Sequence, residues 1–417
     1  MGVPMAQSAF DKALPVTTKG VPGRNATREE DRDCSGQYLV GSRITSQHAR
    51  YSTPIDITPK ILAALFPFLF GGYAGPTGTP ANEEQTITID ATGGTLTYSF
   101  TFEGLTGTTA AVAWNATAAQ LKAALEKLRS IKTGNVNVAK VGNVYTVTFT
   151  SKLANANVPL LVTNPAGLTG GASTAVVAPT VAGGQNTHAV TQQSSDQVVV
   201  TGFIAGYNDE DAGTPRQYSD MALNSVTMRV TRRQKATATL EWIGSWLVEA
   251  ADGFVLPVCQ LPAPIYSEDC RVTIDGTVVP GDDLDSAEFT ASQNIIIGDT
   301  AFPFDGKDVY QLLHGDPTAA FRLSVYGNED DDLYALAEAE AIVSFRFDFG
   351  RPGDRISIIA PRTQLRLTDN PISFVGDASM SAIQIEAIPF FDPDNAGTTP
   401  LNVIMYNDQA VAYLVAA

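Results

Sequence analysis

The chain is poor in the side chains on which catalysis and metal binding most often depend. Cys34, Cys259 and Cys270 are an odd and sparse set in 417 residues, which argues against a disulfide framework and for synthesis in a reducing compartment. The spacing of Cys259 and Cys270 matches neither a metal knuckle nor a redox pair. His48, His188 and His314 lie in separate segments, without the Glu-x-x-His or His-x-x-x-His spacing that zinc hydrolysis uses. Neither a Gly-x-Ser-x-Gly elbow nor a phosphate-cradling glycine loop with its lysine occurs. Long apolar runs are missing too. Pro67 interrupts "ILAALFPFLF", Ile61 to Phe70, and the run falls short of the ~20 residues of a membrane span. The N-terminal stretch has no apolar core of the kind that marks export. Cations are outnumbered, 27 Lys and Arg against 44 Asp and Glu, and the net charge of -17 excludes a general affinity for nucleic acid through phosphate neutralisation. It leaves open the handling of nucleic acid without adhesion. The expectation is a non-enzymatic protein with no cofactor, no metal and no membrane segment.

What is present changes texture along the chain. "FGGYAGPTGTPAN", ending at Asn82, and "VAGGQNT", starting at Val181, have the Gly, Pro and small polar residues of linkers. Between them, Glu83 to Gly183 holds six cations and five acids, so the remainder carries 21 cations against 39 acids, a net of -18. The acidity belongs to the flanks. The organisation expected is an N-terminal segment or arm over 1–50, a discontinuous β core over 51–82 and 184–417, and an inserted α+β surface module over 83–183. In the module "QTITID", "TLTYSFTF" and "NVYTVTFT" alternate at period two, while "NATAAQLKAALEKLRSI" spaces Leu121, Leu125 and Leu128 along one helix face after Asn115 or Thr117 as cap.

The flanks are mostly strand. "SVTMRVTRRQKATATLEWIGSWLVEA" reads as a hairpin, and "RVTIDGTVV" turns at Asp275 and Gly276 as a type I′ turn prefers. In "EFTASQN" the residues Glu288, Thr290, Ser292 and Asn294 share a polar face; in "MSAIQIEAIPFF" Ile383 and Ile385 face a core while Gln384 and Glu386 face away. Two helices are expected here, "TPKILAALFPFLF", stopped by Gly71 and Gly72, and "DDDLYALAEAEA". With few helices and no strand-helix-strand rhythm, the fold class is mainly β, a sandwich or barrel core with two short helices.

Three clusters of charged and polar residues have competing readings. Glu329, Asp330, Asp331 and Asp332 follow Asn328, so they suit the first turn of a helix; a metal site or a basic contact are the alternatives. Arg229, Arg233 and Lys235 would share one face if the strand ran straight through them, either as a solvated edge or as a contact for acids of a neighbouring subunit. Asp392, Asp394 and Asn395 in "FDPDNAGTTP" suit a turn or a loose cation site.

The succession "ALNSVTMRVTRRQKATATLEWIGSW", "DLDSAEFTASQNI", "FRLSVYGNEDDDLYALAEAEAIVSFRFDFG", "SIIAPRTQLRLTDNPISFVGDASMSAIQIEAIPFFDP" and "PLNVIMYNDQ" resembles the tail tube protein of long-tailed bacteriophages. The module resembles insertions found in tailed-phage virion proteins and bacterial surface proteins. The tail tube resemblance implies a structural virion protein, assembled in the host cytoplasm into hexameric rings that stack into a tube. Its expected partners are further copies of itself, tape-measure protein, and tail-completion or tail-tip proteins. DNA would pass without specific binding along a wall lined by Glu288, Thr290, Ser292, Gln384 and Glu386, with an acidic wall repelling it. The competing expectation is a cell-surface or matrix protein whose module holds glycan or protein.

Overall fold

The computed structural model describes residues 23–32, 39–103, 105–192, 201–207, 215–244, 248–250, 264–297, 312, 315–326, 332–375, 380–391 and 399–407. Within them the chain is mainly antiparallel β, with α-helices Pro59–Phe70, Ala118–Leu125 and Asp332–Glu338. It divides into two compact units. The first draws on the described residues of Met1–Tyr73, Val190–Asp348 and Ser357–Val403, the second on those of Ala74–Ala189, Phe349–Ile356 and Ile404–Ala417. The second unit therefore holds the whole of 83–183 and also stretches that sequence texture assigns to the flanks.

In the first unit, strands follow one another across a single sheet in the order Gly23–Arg32, Leu39–Asp56, Thr237–Gly244, Pro215–Thr231, Leu284–Ser292, Thr318–Tyr326, Met380–Pro389 and Asp354–Val375. Every one of these pairings is antiparallel. No barrel closes among the described residues. Alternation decides which side of the sheet is dry. Met228, Phe289, Phe321, Ala387 and Leu365 stand opposite one another in register and are all buried. The rings of Phe289 and Phe321 lie 5.0 Å apart, and Phe321 lies 4.3 Å from Phe345, so the middle of this core is aromatic. Each fully buried phenylalanine contributes about 2–3 kcal/mol of apolar transfer free energy.

The helix Pro59–Phe70 forms where Pro59 presets the first turn after an extended Thr58, and it ends because Gly71 takes φ 84°, a conformation glycine adopts without strain. Its buried residues include Leu62, Phe66, Leu69 and Phe70. Gln293 Nε2 donates to the carbonyls of Phe68 and Leu69 at 2.7 and 2.6 Å, satisfying acceptors that the helix leaves open at its end. At the hairpin of Cys270–Ile274 with Thr277–Val278, Asp275 and Gly276 take φ 46° and 77°, the two left-handed positions of a type I′ turn.

The second unit has two sheets around its own core. Strands Thr174–Val181, Glu84–Asp90, Val144–Phe149 and Val136–Val141 make one; Gly93–Phe102 with Val162–Asn164, Leu105–Thr108, Val112–Ala113 and Leu168–Thr169 makes the other. Thr117, not Asn115, caps the helix Ala118–Leu125. Its side chain accepts from Gln120 N while Gln120 Oε1 accepts from Thr117 N, a reciprocal capping box. Leu121, Leu125 and Leu128 then meet Tyr98, Phe100, Tyr145 and Phe149 in the core. Burial of Tyr98, together with the neighbouring Tyr145, pushes the Tyr98 phenol well above its ordinary pKa.

The ends of the module are tied together. Ala81 and Gly184 exchange backbone hydrogen bonds of 2.9 Å in both directions, and the buried Glu83 carboxylate accepts from Gly183 N at 2.5 Å. Gly183 is required there, because a Cβ would come within 2.0 Å of the Ala156 carbonyl oxygen. Phe349–Ile356 joins this unit through a charge: Arg355 Nη1 donates to Glu103 Oε1 at 2.6 Å, and the guanidinium also lies 5.6 Å from the Tyr406 ring centre.

Candidate functional site: a charged line across the sheet

Opposite the aromatic core, the first-unit sheet carries a polar face. Antiparallel register places residues of neighbouring strands directly across from one another, so one residue per strand builds a line perpendicular to the strands. One such line runs Arg229, Glu288, Arg322, Glu386 and Arg366, basic and acidic in strict alternation over five strands. Beyond Arg229 it continues through Thr237 to Asp56. The next line on one side contains Thr227, Thr290 and Ala320, and on the other Thr231, Ser286, Ser324 and Gln384.

Arg322 is the centre of the line. Its Nη1 lies 3.9 Å from Glu288 Oε1 and its Nη2 3.2 Å from Glu386 Oε1, while Nε donates to Glu386 Oε1 at 3.3 Å. The Arg322 side chain is 64% exposed, against 26% and 29% for the two glutamates. Ion pairs this wet contribute about 0–1 kcal/mol, too little for stability to be what the line adds. Its consequence is electrostatic: over the five strands three arginines and two glutamates leave a net of +1, and Asp56 beyond them is paired with Lys235. The acid excess of the chain lies elsewhere. At the far end, Arg366 Nε and Nη2 donate to Gln364 Oε1 at 3.1 and 2.5 Å, and Gln364 Nε2 donates to Glu340 at 2.9 Å. Glu241 accepts from Ser225 Oγ at 3.1 Å.

The residues singled out by sequence fall as follows. Glu288, Thr290, Ser292, Gln384 and Glu386 are all half-buried on the polar face, whereas Ile383 and Ile385 are fully buried. Gln384 Nε2 donates to Ser324 Oγ at 2.8 Å, and Ser292 Oγ donates to Asn294 Oδ1 at 2.9 Å. Both glutamates share Arg322, so these acids are paired across strands. The basic patch needs a correction. Arg229 is on the strand Pro215–Thr231, but Arg233 sits in the turn that follows, with φ 60°, and its backbone N donates to Ser267 Oγ at 2.9 Å. Lys235 comes after that turn and pairs with Asp56 of the same chain at 3.2 Å. The strand ends before Arg233, so the three cations do not share a strand face. Of the acidic run, Asp332 opens the helix Asp332–Glu338 and is exposed; Glu329, Asp330 and Asp331 lie outside the described residues, as do His314, Cys34, Cys259, Asp392, Asp394 and Asn395.

Arg322 and Arg366 were not singled out from sequence. The signal was there in "AAFRLSVYG" and "TQLRL", where each arginine is the one charged residue among alternating apolar neighbours. Alternation shows that such an arginine points away from the core. It does not show which residue stands opposite, because register is set between strands that are distant in sequence. Among the described residues no group of three His, Cys, Asp or Glu side chains is placed to hold a metal ion, and no helix is long and apolar enough to cross a membrane. No model of a known protein family and no curated protein matches the chain.

Proposed function

We propose that this chain is a structural subunit of a bacteriophage tail tube, polymerising into stacked rings whose lumen passes genomic DNA. The observation that carries the reading is the two-sided sheet: an aromatic and aliphatic face buried within the unit, and a face of Ser, Thr, Gln, Glu and Arg left over five adjacent strands. A wall of this kind can line a water-filled channel, and open sheet edges can be completed by the sheets of neighbouring copies, which removes unpaired strand edges. The resemblance of the sequence between 201 and 417 to tail tube proteins supports the same reading. The module, with its own core and its ends tied at Ala81 and Gly184, suits a separately folded decoration of such a subunit. The test is negative-stain microscopy of the purified full chain. Rings or hollow rods are the expected result. Compact monomers at every concentration, together with glycan or protein capture by the module, would favour a surface-binding protein instead.

A further inference from the structure

We infer that the alternating line is a charge-compensated contact for the phosphodiester backbone of duplex DNA, in which Glu288 and Glu386 weaken the arginines and do not act as repelling acids. The inference rests on the tail tube reading for its setting. Its physical content comes from the line itself. Adjacent strands lie ~4.8 Å apart, so Arg229, Arg322 and Arg366, on alternate strands, present a guanidinium about every 10 Å across the face. An arginine is the side chain best shaped to bind phosphate, and a row of three unopposed ones would grip a polyanion. Nothing in folding requires Glu288 and Glu386 between them, since exposed pairs of this kind contribute little stability.

What the glutamates change is the number of cations free to neutralise phosphate. Arg322 has a carboxylate on each side, at 3.9 and 3.2 Å, and cannot give its full charge to a ligand without leaving them. A wholly acidic wall would hold DNA away from itself, and a wholly basic one would hold it fast. The alternation provides contacts that are individually weak and can be exchanged as the polyanion moves. Serine, threonine and glutamine in the flanking lines add neutral hydrogen-bonding groups and no further charge.

The test compares the full chain with Glu288→Gln/Glu386→Gln and with the same pair plus Arg322→Gln, by fluorescence anisotropy on a labelled duplex of about 30 base pairs. Acids elsewhere are the same in every variant, so differences report this line. Raising the effective cation count from one to three steepens the dependence of log K on log salt by about 1.8, and at about 50 mM salt it sets an upper limit of about 200-fold tighter binding. The double variant is expected to bind at least tenfold tighter than wild type, and adding Arg322→Gln should remove a third or more of the extra slope. Binding by the double variant no tighter than wild type, with an unchanged thermal melt, would overturn the inference; so would a gain untouched by Arg322→Gln. If the double variant fails to fold, the two single Glu→Gln variants carry the test, each with about half the slope change. Microscopy separates this outcome from the tube reading. Rods without a gain in DNA binding defeat only the inference, and a gain without rods defeats the tube.

Discussion

Deleting the inserted module asks whether the first unit is complete without it, and the structure specifies where to cut. Ala81 and Gly184 form a hydrogen-bonded antiparallel pair, the geometry that a two-residue hairpin loop closes. Removing Glu83 to Ala182 leaves Asn82 followed directly by Gly183, and Asn-Gly is the dipeptide that best fits a type I′ turn. The chain thus carries its own bridge. One identifiable loss is at Arg355, whose side chain is 16% exposed and donates to Glu103 at 2.6 Å; Gly353 also loses its close approach to the Ala154 carbonyl. Removing one partner of a fully buried pair costs about 3–5 kcal/mol, so for this partly wet pair up to about 3 kcal/mol is expected. In a chain of this size that lowers the melting temperature by less than about 10 °C. Replacing Arg355 by Gln in the shortened chain should recover part of the loss, because the charge that has lost Glu103 is then removed. Circular dichroism melting and gel filtration are the assays. A shortened chain that aggregates, or melts without a cooperative transition, would refute the reasoning and show that residues 83–182 complete the core.

Three smaller perturbations probe other parts. Phe321→Ala removes the middle ring of the Phe289–Phe321–Phe345 cluster and should cost about 3–5 kcal/mol in urea unfolding; less than 1 kcal/mol would mean that the cluster is loosely packed. Thr117→Ala breaks the capping box and should destabilise the second unit by about 1 kcal/mol, read from its own melting transition, while Thr117→Ser should be nearly neutral. His48 has its pKa held below the ordinary 6.5, first by burial and then by the nearby Arg50 cation. Above 6.5 it is neutral folded and unfolded and contributes no slope. As pH falls through 6.5 the unfolded chain takes up the proton first, so stability declines until the folded pKa is passed and then levels off. His48→Gln should flatten unfolding free energy between pH 7 and 5 relative to wild type; identical slopes would exclude His48 as the source.

Much of this architecture is legible in the sequence where a single segment determines it. Period-two alternation identifies the 225–231 end of the strand Pro215–Thr231, and the strands Leu284–Ser292 and Met380–Pro389, and which side of each is apolar. Pro59 and Gly71 bound a helix, and Asp275-Gly276 makes a turn, because local backbone preference decides these. The failures are of another kind. "VTRRQKA" contains no Gly, Pro, Asn or Asp, so nothing local announces the turn that takes Arg233 off the strand. The pairing of Glu288 with Arg322 and of Arg322 with Glu386 depends on long-range register, and a lone strand cannot report the charge opposite it.

The central claim is that the line through Arg322 belongs to the inner wall of a polymer. Electron cryomicroscopy of the assembled chain, at a resolution that separates strands, tests it most directly. The account predicts a closed ring in each layer, its inner sheet continuous between subunits, with Glu288, Arg322 and Glu386 facing the axis and Phe289 and Phe321 turned away from it. An assembly with that line on the outer surface or buried between subunits, or a chain that forms no ring, would contradict it.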